Sequence, residues 1–204
     1  MIAIVDYGSG NVSAIATIYK KLRIPHIVTS NHAELASASR YILPGVGAFD
    51  RVMGDLTRLG LTEVLNEQVL HKGKPAMGIC VGMQILASSS DEGNMPGLGW
   101  VPGRVRRIDQ HSINSVPKLP HMGWNSIQRR GSDPILDGID LQHGFYFLHS
   151  YYFAPEEEAH VLATVTYGTD MPCAVSRDNI RGVQFHPEKS HDNGVTLFRN
   201  FAEG

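Results

Sequence analysis

Cysteine is scarce in this sequence, with two residues among 204. Cys80 and Cys173 are far apart, and no Cys-x-x-Cys pair occurs, which argues against a disulfide scaffold, a zinc ribbon and a thioredoxin-type motif. Such sparing use of cysteine favours a reducing compartment. We therefore expect a cytoplasmic protein.

Long apolar runs and an excess of one charge are also missing. No stretch of about 18 apolar residues occurs, and Met1–Asp6 lacks the basic and apolar regions of a secretory signal. The 18 Lys and Arg residues against 20 Asp and Glu residues give a net charge of −2, so no broad basic field is available for nucleic acid or anionic lipid. We predict a soluble protein without a nucleic-acid or membrane partner.

The first half of the chain alternates apolar runs with amphipathic segments. Strands are predicted at Ile2–Val5, Pro25–Thr29, Arg40–Leu43 and Pro75–Ile79, and helices at Asn11–Leu22 and Leu61–Leu70. Strands that alternate with helices form βαβ units in a mostly parallel sheet. The pattern predicts a three-layer α/β fold with a flavodoxin-like core and, since no linker or repeat interrupts the chain, a single domain over residues 1–204.

The sequence pattern changes after residue 90, where glycines, prolines and β-rich runs replace the alternation of strands and helices. The β-rich runs are His143–Phe153, His160–Thr166, Cys173–Val175 and Ile180–Phe185. We predict that these runs are antiparallel strands added to the same sheet. The apolar spacing of Asp192–Phe201 predicts a closing helix.

The strongest chemical signal is Gly78-Ile79-Cys80-Val81-Gly82, where an apolar strand meets the start of an apolar helix. A nucleophile on a sharp strand-to-helix turn needs small neighbours, and Gly78 and Gly82 provide that space. Plain burial of Cys80 in the core is the alternative, because cysteine is often buried. Cys173 has no flanking glycines and is predicted to be structural.

A histidine and a carboxylate follow the last apolar strand, in the segment Val183–Glu188. A thiolate nucleophile needs a base that takes its proton and later gives it to a leaving amine, and that base needs a group that fixes its tautomer. His186 and Glu188 suit these roles. The alternative, that His186 only ends a strand, is disfavoured by its pairing with the glycine-flanked Cys80.

Two glycine-rich loops follow strands near the N-terminus. In Leu43–Phe49, backbone N–H groups near Gly47 can face a developing oxyanion, with the Val81 N–H as second donor. A plain turn is the alternative for this loop. The segment Asp6–Asn11 is similar to a phosphate loop but lacks the full Gly-x-Gly-x-x-Gly series and a Walker lysine, so dinucleotide binding is not predicted.

Together these segments resemble the class I, or triad, glutamine amidotransferases over essentially the whole length. Within that family the chain is similar to the glutaminase subunits of histidine biosynthesis. The resemblance is carried by Asp6–Asn11, Leu43–Gly47, Gly78–Gln84, Pro120–Asn125, Phe147–Tyr151 and Gln184–Ser190.

The resemblance implies a Cys-His-Glu triad and an oxyanion hole. Cys80 would be the nucleophile, His186 the acid and base, and Glu188 the residue that orients His186. The oxyanion hole would use Val81 and Gly47. No metal or other cofactor is implied.

The resemblance also implies a substrate and a partner. L-Glutamine would be held by Gln84, Glu92, Ser150 and Tyr151, although Glu92 also fits a solvated loop. Ammonia would pass to a (βα)8 cyclase subunit in a heterodimer, and Tyr146, His149 and Lys189 would lie near that interface. The loop Pro44–Gly47 would keep its amide turned away until the partner holds its own substrate.

Three other functions remain open at this point. The nearest is the glutaminase subunit of pyridoxal phosphate synthase, although the Pro-Gly-Val-Gly and His-Met-Gly-Trp-Asn segments argue against it. A related α/β cysteine peptidase or chaperone-like hydrolase usually has histidine directly after the nucleophile, whereas Val81 follows Cys80. A flavodoxin-like binding module without catalysis would use Asp6–Asn11 to hold a phosphate.

Overall fold

The computed structural model describes residues 1–114 and 116–204. Strands and helices alternate through the first half of the chain, as the apolar runs predict. They are β1 (Ile2–Val5), α1 (Val12–Leu22), β2 (His26–Thr29), α2 (His32–Ser37), β3 (Arg40–Gly45), α3 (Phe49–Arg58), α4 (Leu61–Asn66), β4 (Ala76–Cys80) and α5 (Val81–Gln84).

The second half is mostly strand, closed by one long helix. Its elements are β5 (Ser89–Ser90), β6 (Gly103–Arg107), β7 (His121–Asn125), β8 (Gln128–Arg129), β9 (Phe145–His149), β10 (Tyr151–Pro155), β11 (Val161–Tyr167), β12 (Thr169–Arg177), β13 (Ile180–Val183) and α6 (His191–Glu203). Short 3₁₀ turns lie at Gln110–Ser112, Pro134–Leu136, Glu158–His160 and Pro187–Lys189.

The central sheet has the strand order β2-β1-β3-β4-β13-β12-β11-β8 within the described residues. The neighbours from β2 to β13 are parallel, and β12, β11 and β8 continue the sheet antiparallel. Strands β1 and β4 are buried along their whole length, which explains their continuous apolar runs. The predicted α/β fold, mostly parallel with antiparallel strands added late in the chain, is confirmed.

The helices form two groups, as expected for layers on both sides of a sheet. Helices α1 and α6 contact each other, while α3 and α4 pack together and α2 packs on α4. Tyr19 of α1 and Phe198 of α6 meet edge to face, with ring centroids 5.4 Å apart. Helix α6 confirms the closing helix predicted from the spacing of its apolar residues.

Three local predictions need correction. The run His143–Phe153 is not one strand of the main sheet, because the chain breaks at Ser150 into β9, which pairs with β7, and β10, which pairs with β6. The run that contains β13 is not purely antiparallel, since β13 is parallel to β4. The segment Leu61–Leu70 begins as α4 but continues as a π-helical turn, Glu67–His71.

Candidate active site

Three neighbouring parallel strands end at one edge of the central sheet. Gly45 at the end of β3 is in register with Cys80 at the end of β4, and Val183 of β13 is in register with Ile79. The carboxyl ends of parallel strands are the usual place for a ligand site in an open α/β sheet. The strand order therefore brings the glycine loop, the cysteine and the segment that leads to His186 to one place.

Cys80 lies on a strained bend between β4 and α5. Its φ and ψ are 55° and −114°, a backbone conformation that residues other than glycine rarely adopt. A Cβ on Gly78 would lie 2.2 Å from the Gly82 carbonyl oxygen, and a Cβ on Gly82 would lie 1.8 Å from the Leu43 carbonyl oxygen. Both glycines therefore permit the close approach that the sequence predicts. Helix α5 is a single turn, so it supplies N–H groups at the bend rather than a long macrodipole.

His186 connects the thiol to a buried carboxylate. Its Nδ1 lies 2.9 Å from Oε1 of Glu188, and both side chains are almost fully buried. Burial lowers the pKa of His186, but hydrogen bonding to Cys80 and to Glu188, together with the negative charges of both groups, outweighs burial and raises the pKa to about 9. Both neighbours therefore favour a proton on the imidazole.

A buried serine fixes the backbone around His186. Ser190 Oγ donates to the His186 carbonyl oxygen at 2.6 Å and accepts from the Tyr146 N–H at 3.0 Å. The His186 N–H in turn donates to the Tyr146 carbonyl oxygen at 2.9 Å. These bonds attach the turn after β13 to β9, so the position of the imidazole is set by a neighbouring strand.

The segment Asp6–Asn11 supports the glycine loop after β3. The Tyr7 hydroxyl donates to the Pro44 carbonyl oxygen, and Ser9 Oγ both accepts from the Val46 N–H at 2.9 Å and donates to the Val46 carbonyl oxygen at 2.8 Å. A Cβ on Gly10 would lie 2.6 Å from Pro44 Cβ. The polar groups of Tyr7 and Ser9 are thus used within the protein, which argues against a phosphate loop here.

A cavity of about 280 Å³ opens above Cys80. Nine of the residues that line it were predicted from the sequence as site residues, namely Gly47, Cys80, Val81, Gln84, Glu92, His149, Ser150, Tyr151 and His186. Three more residues line it without having been predicted, namely Val46, Pro120 and Leu148. Glu188 lies outside the lining, behind His186.

Gln84 and Glu92 make hydrogen bonds within the chain. Gln84 Nε2 donates to the Tyr151 carbonyl oxygen at 3.1 Å and to Gln184 Oε1 at 3.0 Å. Glu92 Oε2 accepts from the Phe49 N–H at 2.9 Å, at the start of α3. Glu92 is therefore a fixed carboxylate at the cavity rather than the freely solvated loop residue that was the alternative.

His149 is buried, with 6% of its surface exposed. Its Nδ1 lies 2.8 Å from the Tyr151 carbonyl oxygen, and its Nε2 lies 3.0 Å from Nδ1 of His121. His121 stacks between Phe147 and Tyr167, with ring centroids 4.7 and 4.1 Å away. Pairing across β7 and β9 places His149 inside the protein.

Tyr146 and Lys189 lie beside an exposed apolar strand face. Lys189 Nζ is 5.7 Å from the centroid of the Tyr146 ring. Tyr146 is opposite Trp124 of β7, and Met122 is two residues away on the same strand. Trp124 is 41% exposed and Met122 is 61% exposed. An apolar surface next to the cavity is a feature of sites that contact another protein.

Cys173 is fully buried, and burial raises the pKa of its thiol. A thiol that is shielded from solvent and held neutral is a poor nucleophile. The sequence-based distinction between the two cysteines is therefore consistent with their surroundings.

The arrangement suits nucleophilic attack on an amide carbonyl. The Cys80 thiol, the His186 imidazole and the Glu188 carboxylate follow one another in the order that such a triad needs, although the chain order and fold differ from serine proteases. In the part of the chain that the structure describes, no group of three or more His, Cys, Asp or Glu side chains is arranged to hold a metal ion. No helix among the described residues is long and apolar enough to cross a membrane.

The chain is similar in sequence and in fold to known glutamine amidotransferases. The glutamine amidotransferase class-I family matches residues 3–203. Two solved structures share the fold at low sequence identity. One, a glutamine amidotransferase, is 19% identical and covers 100% of both chains with a TM-score of 0.73. The other, PurLQS from Thermotoga maritima, is 17% identical and covers 98% of this chain and 96% of that one with a TM-score of 0.66.

More similar relatives belong to one enzyme within this class. The chain is 50% identical to imidazole glycerol phosphate synthase subunit HisH of Bdellovibrio bacteriovorus over 100% of both chains. It is 48% identical to the subunit of the same name in Leptospira interrogans, over 99% of both chains. The chain therefore belongs to the class-I glutamine amidotransferases and, within them, to the HisH group of imidazole glycerol phosphate synthase subunits.

Proposed function

We propose that the chain hydrolyses L-glutamine to glutamate and ammonia and supplies the ammonia to a (βα)8 cyclase subunit. That partner would form imidazole glycerol phosphate and aminoimidazole carboxamide ribotide, in the cytoplasm, as a step of histidine biosynthesis. The names of the relatives support the pathway. The observation that carries the chemistry is that Cys80 and His186 line one cavity while His186 Nδ1 lies 2.9 Å from the buried Glu188 carboxylate.

The proposed reaction begins with Cys80 as a thiolate beside a protonated His186. The sulfur attacks the side-chain amide carbonyl of glutamine and forms a tetrahedral intermediate. His186 gives its proton to the leaving ammonia, and Glu188 keeps the imidazole in the tautomer that can do so. A water molecule, deprotonated by His186, then hydrolyses the γ-glutamyl thioester and releases the Cys80 thiolate beside the protonated His186.

The oxyanion of that intermediate would be bound by the N–H groups of Val81 and Gly47. Val81 is the first residue of α5, and Gly47 lines the cavity with a φ of 100°. The neighbouring Val46 N–H is bonded to Ser9 instead. We propose that this clamp keeps the loop in a resting state until the partner binds its own substrate, so the isolated chain turns over glutamine slowly.

Glutamine would lie along the cavity, with its α-amino group near Glu92. The charge of that carboxylate complements an ammonium group, and its position is fixed by the Phe49 N–H. The main chain of Ser150 and Tyr151 would bind the amino-acid end. Gln84 uses both of its N–H groups within the protein, so it would contribute mainly by shaping the wall and holding Tyr151.

The partner would dock on the surface formed by Met122, Trp124, Tyr146 and Lys189. Apolar and aromatic side chains there adjoin the cavity, so a protein bound on that surface could receive ammonia without release to solvent. His149 would act from inside, by holding Tyr151, rather than by contact with the partner.

A Cys80→Ala variant tests the division of labour. In the presence of the cyclase, it should lose synthesis from glutamine and keep synthesis from ammonium salts, because the partner performs the second reaction. Loss of both activities with a stable complex, or survival of the glutamine-dependent activity, would contradict the proposal. Cys173→Ala is the matched control and should keep both activities.

A further inference from the structure

Gln184 is a fully buried polar side chain beside Cys80 that belongs neither to the triad nor to the oxyanion hole. It follows β13, between Val183 and Phe185, and none of its surface is exposed. Its Nε2 lies 3.8 Å from Cys80 Sγ, and its Oε1 lies 3.0 Å from Gln84 Nε2. Gln184 therefore reaches the sulfur from inside the protein.

A backbone carbonyl fixes which end of Gln184 faces the sulfur. The Tyr151 carbonyl oxygen can only accept, so the end of Gln84 that lies 3.1 Å from it must be the N–H₂ group. The same N–H₂ group contacts Gln184, so the near end of Gln184 must be its oxygen. The far end of Gln184 is then its own N–H₂ group, and it points at Cys80.

The Tyr151 carbonyl is itself held by a chain of neutral histidines. Because Tyr151 oxygen accepts, His149 Nδ1 carries a hydrogen and His149 Nε2 accepts from His121 Nδ1. His121 Nε2 then accepts from Asn125 Nδ2, 3.3 Å away. These bonds hold the Tyr151 carbonyl in place, and that carbonyl sets the orientation of Gln84 and thereby that of Gln184.

The other neighbours of the sulfur explain why a donor matters. The Leu148 carbonyl oxygen lies 4.0 Å from Cys80 Sγ. It can accept a hydrogen from the thiol, but it disfavours a negative charge on sulfur. The Gln184 N–H offsets that effect, and hydrogen bonds to charged groups are stronger than those between neutral groups.

We propose that Gln184 is a further catalytic residue, which donates an N–H to the Cys80 sulfur and stabilises it as a thiolate. This inference depends on the proposed function, in which Cys80 is the nucleophile. The bond is already made in the folded protein, so it acts before glutamine binds and without the partner. It would also stabilise the sulfur when the thioester is hydrolysed and the thiolate leaves.

The test is the rate of Cys80 alkylation by iodoacetamide in the full chain, read by mass spectrometry. Cys173 is buried and should not be alkylated in the folded protein, so it serves as an internal control. Gln184→Met should alkylate about tenfold more slowly at pH 7, the loss expected for a hydrogen bond to a charged group. At pH 10 its rate should equal that of the unchanged protein, because ionisation no longer needs the donor. A merely structural role would not give this recovery with pH.

The matched control is Gln68→Met. Gln68 is also buried and uses its Oε1 to accept from Lys74, far from the sulfur in the fold. Its alkylation rate should equal that of the unchanged protein at both pH values. Gln184→Leu is a second neutral variant without the N–H, and it should also slow alkylation at pH 7 and recover at pH 10, even where the Met variant fails to fold.

The outcomes separate the two proposals. If Cys80 is needed for glutamine hydrolysis but the Gln184 variants are alkylated as fast as the Gln68 variant at pH 7, the inference about Gln184 is wrong and the proposed function stands. If Cys80→Ala keeps glutamine-dependent synthesis, the proposed function itself fails. Slow alkylation that does not recover at pH 10 would assign Gln184 a packing role and overturn the inference.

Discussion

Mild acid should destabilise this protein through its buried histidine pair. Burial lowers the pKa of His121 from 6.5 to about 4, and burial together with the charge of His121 lowers that of His149 to about 3. Both would titrate near their ordinary value in the unfolded chain. The folded state therefore binds fewer protons between pH 6.5 and 4, and the free energy of unfolding falls as the pH falls through this window.

The magnitude follows from the protons that the unfolded chain binds. In the unfolded state both rings take up a proton near pH 6.5, so the two lowered pKa values contribute separately. For His121 alone, a pKa lowered from 6.5 to about 4 corresponds to a loss of about 3 kcal/mol over the full window. The two histidines together should cost about 3 kcal/mol between pH 6.5 and pH 5.

Urea unfolding at several pH values measures this loss. The double variant His121→Phe, His149→Gln keeps an aromatic ring in the stack between Phe147 and Tyr167 but cannot titrate there. Its free energy of unfolding should be lower at pH 7.5 and should depend less on pH below 6.5, by about 3 kcal/mol at pH 5. The exposed His71→Gln variant is the control. Equal slopes for the double variant and the unchanged protein would refute the reasoning.

The remaining predictions concern the bend and the segments that brace it. Gly82→Ala would force a Cβ against a β3 carbonyl and should lower the free energy of unfolding by more than about 3 kcal/mol. Gly54→Ala, in an open helical position, should not lower it. Equal melting temperatures for the two variants would contradict this prediction. Ser9→Ala releases Val46 and should raise glutaminase turnover without the partner about 3- to 10-fold, and a lower rate would argue against a clamp. Ser190→Ala should reduce kcat about tenfold in steady-state assays and change KM little; a rise in KM alone would show that Ser190 acts on binding.

The elements that the sequence predicts well are those that local chemistry determines. Apolar runs identify β1 and β4, since both strands are buried on two faces. The glycines on both sides of Cys80 identify the bend because nothing larger fits there. The glycine loop and the cysteine meet because β3 and β4 are predicted to be parallel neighbours, whereas the parallel pairing of β13 with β4, which brings the histidine segment to the same edge, was not predicted.

The elements that the sequence does not predict depend on pairing between distant segments. The break at Ser150 arises because β9 pairs with β7 and β10 with β6, and no local pattern in His143–Phe153 indicates where the strand changes partner. The same pairing buries His149 and brings Leu148 to the cavity. Gln184 did offer a signal, since a single polar residue between Val183 and Phe185 must find a buried partner.

The bend at Cys80 has a consequence for the stability of the fold. Only glycine would occupy that φ and ψ without strain, and the backbone cost for any other residue is of order 1–3 kcal/mol. Replacing the whole cysteine side chain with a hydrogen atom, as in Cys80→Gly, would therefore relieve that cost and remove the thiol at the same time. The same bend that places a thiol at the cavity thus carries a backbone cost that an inert glycine at this position would not.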